Sequence, residues 1–215
     1  MKSINIPRIP DHLQGDIPDL SKWMDALPRI PIDNNPWPDY NADTDARFSI
    51  AYTEDQLLLK YYVQEDQFKA SVREINDDVY KDNCVECFIA FNDEQAYYNI
   101  ELNCLGSAKI GYGTGRADRV DVPDELIKKI TINVSLDLHK KEDNLSLSWT
   151  IFAIIPKQLF LHSPILSFAG ITAKGNFYKC GDDLPKPHFL TWAPVQGDQP
   201  DFHQSQYFGE LIFGK

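Results

Sequence analysis

No stretch of this chain approaches the roughly 18 consecutive apolar residues that a membrane-spanning helix requires, which argues against a membrane partner. The opening MKSINIPRIP has no apolar block of the secretory kind. The sequence as written is therefore expected in the cytoplasm, and in the periplasm or outside the cell only if a leader has been removed. Positive charge is also scarce: 21 Lys and Arg stand against 32 Asp and Glu, a formal net charge of −11 that would repel a phosphate backbone. Nucleic acid is thus not an expected partner. Methionine is limited to Met1 and Met24, which leaves little to supply the thioether of a His/Met haem site. There is no Gly-x-Ser-x-Gly elbow, and the five histidines fall in no recognised catalytic spacing. GYGTG, residues 111–115, is followed by no helix that could place its N-terminus on a phosphate, so it reads as a flexible turn between strands. Internal repeats, low-complexity runs and interdomain linkers are missing too.

What is present suffices for a full core. With 215 residues, 43% hydrophobic and 12% aromatic, the chain is most simply one domain. Residues 1–40 are proline-rich and read as an irregular segment packed on the domain, with a short helix expected at Asp19–Leu27. From residue 41 to 215, alternating runs predict strands at 46–53, 56–64, 84–91, 96–103, 108–112, 130–138, 145–155, 171–178 and 207–213, with a short helix at Pro123–Lys129. TEDQ and HKKEDN supply polar turns of hairpin length. The pattern implies an all-β, antiparallel β-sandwich of the immunoglobulin-like or jelly-roll-like kind. A long loop, residues 180–206, carries four prolines and little strand pattern, as functional or covering loops do.

Four cysteines are present. Cys84 and Cys87 share the Cys-x-x-Cys spacing, but residues three apart on a strand face opposite ways and cannot jointly hold a zinc ion. Buried free thiols are the simpler account.

The hairpin DNCVECFIAFNDEQAYYNIELN, residues 82–103, is the most informative segment. Closing it at Asn92-Asp93-Glu94-Gln95 pairs Ile89 with Tyr98, Cys87 with Ile100 and Val85 with Leu102, a wholly apolar face. The other face carries Ala90 with Tyr97, Phe88 with Asn99, Glu86 with Glu101 and Cys84 with Asn103. Like charges directly opposite on a sheet cost about 0.2–1 kcal/mol. A nearby Arg or Lys, a bound cation or a raised pKa would offset that, as would splaying both side chains into water.

Sugar sites need flat aromatic faces and planar polar groups. Tyr80 before the hairpin, Tyr97, Asn99, Glu101 and Asn103 on its polar face, and His188, Trp192 and His203 in the late loop supply both, with Arg116 as a candidate counterion. A buried Trp or a lone structural His is the plain alternative for the loop residues. Glu86 and Glu101 could instead serve as the acid and nucleophile of a glycoside hydrolase, which needs carboxyls about 5–5.5 Å or 6.5–9.5 Å apart. A protein-interaction domain on the same sandwich is the third class.

VYKDNCVECFIAF, YYNIELNCLG, GNFYKCGDDLPKPHFLTWAPV and PDFHQSQYFGELIF together resemble the family 9 carbohydrate-binding module-like domains, including stand-alone Bacteroides-type versions, over residues 35–215. The resemblance implies a β-sandwich that recognises sugars, often as an accessory to polysaccharide catabolism, with structural calcium in characterised members. It also implies that an aromatic wall, here Tyr80 in place of the usual Trp, stands before a segment whose Glu bonds hydroxyls. Asp82-Asn83-Cys84-Val85-Glu86 is similar to that segment with one residue inserted, which makes Glu86 the counterpart. Trp192 would form the second wall and Arg116 would contact sugar hydroxyls. Replacing Trp by Tyr reduces stacking area and puts a reducing-end glucan preference in doubt. The expected partner is a mono- or oligosaccharide, and no cofactor beyond calcium is implied.

Overall fold

The computed structural model describes residues 1–13, 15–92, 94–141 and 144–214. In chain order its elements are β1 (Ser3–Ile6), α1 (Ile17–Asp25), β2 (Ile30–Pro31), β3 (Thr44–Tyr52), β4 (Gln56–Glu65), β5 (Cys84–Phe91), β6 (Tyr97–Asn103), β7 (Ala108–Gly113) and β8 (Val120–Asp121). They continue with α2 (Asp124–Ile127), β9 (Thr131–Lys141), β10 (Asn144–Pro156), β11 (Thr172–Cys180), β12 (Phe189–Thr191) and β13 (Gly209–Phe213). One sheet runs β1-β13-β11-β5-β6-β7-β8 with β12 added on β11, and the other runs β2-β3-β4-β10-β9. Among the described residues, every strand-to-strand ladder is antiparallel except β1 on β13.

The alternation expected from sequence is what builds the inner layer. Val85, Cys87 and Ile89 of β5 and Ile100 and Leu102 of β6 face Phe48, Leu59, Tyr61, Trp149 and Ile151 of the other sheet. Phe48 stacks on Phe177 at 3.7 Å between centroids. Burying each such side chain stabilises by roughly 1.5–3 kcal/mol. A polar network crosses this layer: Lys179 lies 3.0 Å from Glu65, and Trp149 Nε1 donates to Glu65 Oε1 at 2.6 Å.

The N-terminal segment is more ordered than its prolines suggest. β1 extends the first sheet, β2 edges the second, and α1 lays Leu20 and Met24 on Ala51, Leu58, Phe152 and Ile154. Positions i and i+4 share a helix face, so this pair makes a stripe that the second sheet's outer surface covers. The helix starts two residues before the expected Asp19 because Pro18 sits in its first turn, where a missing N–H costs nothing. Two expected turns rest partly on residues outside those described: Asp93 in the hairpin, and Glu142 and Asp143 between β9 and β10. GYG of the presumed flexible turn belongs to β7. The loop after it is tied by Asp118, which accepts from the Gly115 N–H at 2.7 Å and from the Thr114 hydroxyl.

Candidate functional site

The hairpin register is the one its alternation demands: Glu86 opposes Glu101, Phe88 opposes Asn99 and Cys84 opposes Asn103. This outward face is almost wholly covered, and every residue of β5 and β6 is buried. The late loop folds back over it, and Phe88, Ala90, Tyr97, Tyr178, Val195, Phe202 and Phe208 form a second, smaller core beneath that cover. Beside this core the cover leaves a cavity of about 260 Å³. That is just under the ~300–1,000 Å³ of drug-sized ligand sites, which suits a small polar ring.

Tyr80 and Phe189 supply aromatic surface to the cavity, with Phe202 and His203 beside them. Glu86, Asn99, Glu101, Lys109, Arg116, Arg119, Asp121, Asp182 and Asp201 contribute polar groups. Arg119 clips the floor together: Nε donates to Asn99 Oδ1 at 2.7 Å, and Nη2 donates to the carbonyls of Tyr97 at 2.8 Å and Gly111 at 3.1 Å. Its guanidinium carbon lies 4.6 Å from the Tyr97 ring centroid. With Asn99 Oδ1 taking N–H bonds from Arg119 and Gly111, the amide orientation is set and Asn99 Nδ2 donates to Glu101 Oε1 at 2.5 Å. Gly111 permits this, because a Cβ there would lie 2.8 Å from Asn99 Oδ1.

The second carboxyl is held differently. Glu86 Oε1 accepts from the Cys180 thiol at 3.1 Å. Burial, reinforced by the charge of Glu101, raises the Glu86 carboxyl well above its ordinary value. Burial pushes Glu101 up to about 7, against the hydrogen bond from Asn99 and the charges of Lys109 and Arg119. Burial likewise lifts Asp182 to about 6, opposed by Arg116. His203 is held down at about 4 by burial and by Arg119, so it stays neutral, with Nδ1 2.9 Å from the Tyr97 hydroxyl.

Of the residues singled out in the sequence, Tyr80, Glu86, Asn99, Glu101, Arg116 and His203 meet at this cavity, and Tyr97, Asn103, His188 and Trp192 do not line it. Asn103 shares the face of Asn99 and Glu101, but the strand end is covered by residues 71–73. Its amide donates to the Ser71 carbonyl and Asp82, each at 3.0 Å, and accepts from Leu105 and Ser107. His188 is 1% exposed, 2.9 Å from Lys179 Nζ and 3.7 Å from Glu65, and burial with the Lys179 charge lowers it to about 3. Trp192, 3% exposed, packs edge-on against Phe48 and Phe177 in the main core. It lies three residues past Phe189 along an extended segment, an odd spacing that sends the two rings to opposite sides. Phe189, and not Trp192, therefore lines the cavity.

Arg119, Phe189 and Asp182 were missed by the sequence reading. GRADR offers two arginines, and nothing local says that the second turns inward. HFLTW contains the alternation that separates Phe189 from Trp192, and this signal was readable.

The expected thiols are free and buried. Among the described residues, one group of three metal-type side chains comes together, Cys84, Glu86 and Cys180, with donor atoms within 4.8 Å of one another. Calcium takes six to eight oxygen ligands, so a set with two thiols does not fit it. Burial also raises Cys84 to about 11 and Cys180 well above its usual value, which keeps both thiols protonated.

Comparison with known proteins bears on the fold and the family. The family model for carbohydrate-binding family 9 matches residues 19–213. A Bacteroides uniformis ATCC 8492 chain, provisionally named a carbohydrate-binding protein, superposes with a TM-score of 0.90 at 32% identity, covering 99% of each chain. A family 9 module from Caldicellulosiruptor kristjanssonii in complex with glucose superposes with a TM-score of 0.55 at 13% identity, covering 100% of this chain and 97% of that one, a likeness of fold. No curated protein matches. The chain belongs to carbohydrate-binding family 9.

Proposed function

We propose that this protein binds a mono- or oligosaccharide in the cavity on the outer face of the first sheet, as a step in polysaccharide catabolism. The carrying observation is the composition of that cavity. The Tyr80 and Phe189 rings stand with Glu86, Asn99, Glu101 and Arg119, and two of the polar groups are locked in orientation by their mutual bonds. Aromatic faces take the apolar side of a pyranose, and fixed carboxylate and amide groups take its hydroxyls. Family membership and the glucose complex of the Caldicellulosiruptor kristjanssonii module support the reading. A cavity of about 260 Å³ favours one sugar unit, hence a chain end rather than an internal segment.

Isothermal titration against mono- and oligosaccharides with free and chemically reduced ends tests this, run with calcium and then with chelator to examine the structural-calcium expectation. Saturable binding that is lost for Tyr80→Ala is the expected result. Absence of binding across the panel overturns it.

One observation favours glycoside hydrolysis as a second reading: Glu101, at about 7, is in the range of a general acid. Release of reducing sugar from oligosaccharides during the same titrations would decide for it.

A further inference from the structure

Two of the rings that line the cavity, Phe189 and Phe202, stand on elements with little backbone support. Phe189 opens β12, a strand of three residues whose only ladder among the described residues is with β11. Phe202 lies outside any strand or helix. An aromatic wall serves a sugar best when its plane is set before binding, because a ring that the ligand must order costs affinity.

The N-terminal segment supplies the missing support. Asn34 bridges the other edge of β12: its backbone exchanges hydrogen bonds with Thr191 at 3.0 and 2.9 Å, and its side-chain amide donates to the carbonyls of Thr191, at 3.0 Å, and of Trp192. Trp37, 4% exposed, is not among the residues that line the cavity, yet it meets both rings. Its centroid lies 6.2 Å from that of Phe189, with the planes at 89°, and 6.0 Å from that of Phe202. Trp37 Nε1 donates to the Gly197 carbonyl at 2.9 Å, which ties the same side chain to the loop between them. Tyr40 also meets Phe189, 5.3 Å away at 76°. Edge-to-face contacts from two separate rings oppose any tilt of the Phe189 plane. Pro36 and Pro38 flank Trp37, each with its φ locked, so the brace is stiff before the loop packs on it.

Resting on the sugar-binding reading above, we propose that Trp37 and Tyr40 are positioning residues of the sugar site: both hold Phe189, and Trp37 also holds Phe202, in the plane that stacks on the sugar. Without them the ligand has to order these rings itself, at roughly a two- to tenfold loss of affinity for each.

The test is titration of the intact protein with glucose, glucose oligomers and the other sugars of the panel, the tightest binder of the parent being carried to the variants. Tyr40 is only partly buried, so Tyr40→Ala removes one ring without opening the core. It should raise Kd about two- to tenfold, and Trp37→Ala about tenfold or more, each with one site per chain retained. A merely structural loss would instead lower the number of competent sites and leave Kd unchanged. Tyr40→Phe, which keeps the ring, should restore the parent Kd, and Tyr40→Ala should add almost nothing on a Phe189→Ala background. Without sugar, the amides of residues 189–203 should exchange hydrogen faster in Tyr40→Ala while those of β4 and β10 hold. Where Trp37→Ala does not fold, Tyr40→Ala decides alone. An unchanged Kd in Tyr40→Ala, or an undiminished effect on the Phe189→Ala background, overturns the positioning role and leaves sugar binding standing. If no sugar of the panel binds the parent protein, both fall together.

Discussion

Glu101→Gln is the cleanest probe of the energy stored at the hairpin. In the folded chain the Glu101 carboxyl is lifted from 4.5 to about 7, first by burial. Between those values the folded chain holds a proton that the unfolded chain has released, so this group's contribution to stability falls as pH rises. The loss is absent below about pH 4.5 and complete above about pH 7. At about 1.36 kcal/mol per pH unit it amounts to roughly 3 kcal/mol. Gln keeps the acceptor for Asn99 Nδ2 and cannot ionise, so the variant should be more stable than the parent at pH 8 and equal to it at pH 4.5. At about 2–4 °C per kcal/mol for a domain of this size, the gain is roughly 6–12 °C in Tm. His188 and His203, depressed to about 3 and 4, act with the opposite sign, contributing stability that is lost as pH falls below about 6.5. The informative quantity is therefore the difference between parent and variant, measured by calorimetry from pH 4.5 to 8. A difference that is flat with pH, or a variant less stable at pH 8, refutes the reasoning.

Lys179→Met should cost about 3–5 kcal/mol in urea denaturation, because it strands Glu65, 0% exposed in its side chain, in the core. A loss below about 1 kcal/mol would contradict this. Trp192→Ala should lower stability by about 3–5 kcal/mol, whereas Tyr80→Ala should leave the melt almost unchanged and weaken sugar binding. The reverse pattern in paired melts and titrations would restore Trp192 as a wall. Gly111→Ala should weaken sugar binding with little effect on the strand pairing seen by circular dichroism, since the new Cβ, 2.8 Å from Asn99 Oδ1, displaces the amide that holds Glu101. Unchanged affinity would show that Asn99 does not position the carboxylate.

Period-two alternation in residues 84–103 was enough to specify the hairpin, its register and the confrontation of Glu86 with Glu101, because side chains on a strand alternate faces with no freedom to do otherwise. The sandwich class followed from the same pattern repeated along the chain, and family membership from the motifs around it. The fate of the outward face was not local information. Whether Glu86 and Glu101 splay into water or sit desolvated depends on the late loop, which returns from far along the sequence to cover them. That cover raises the carboxyl pKa values, leaves Glu101 Oε2 without a donor, and brings Phe189, Asp182 and His203 to the cavity. It also sends Trp192 and His188 inward, where shape and burial rather than residue type decide their role. Local spacing determines which face a side chain takes; only the long-range packing of one segment on another decides whether that face meets solvent, core or ligand.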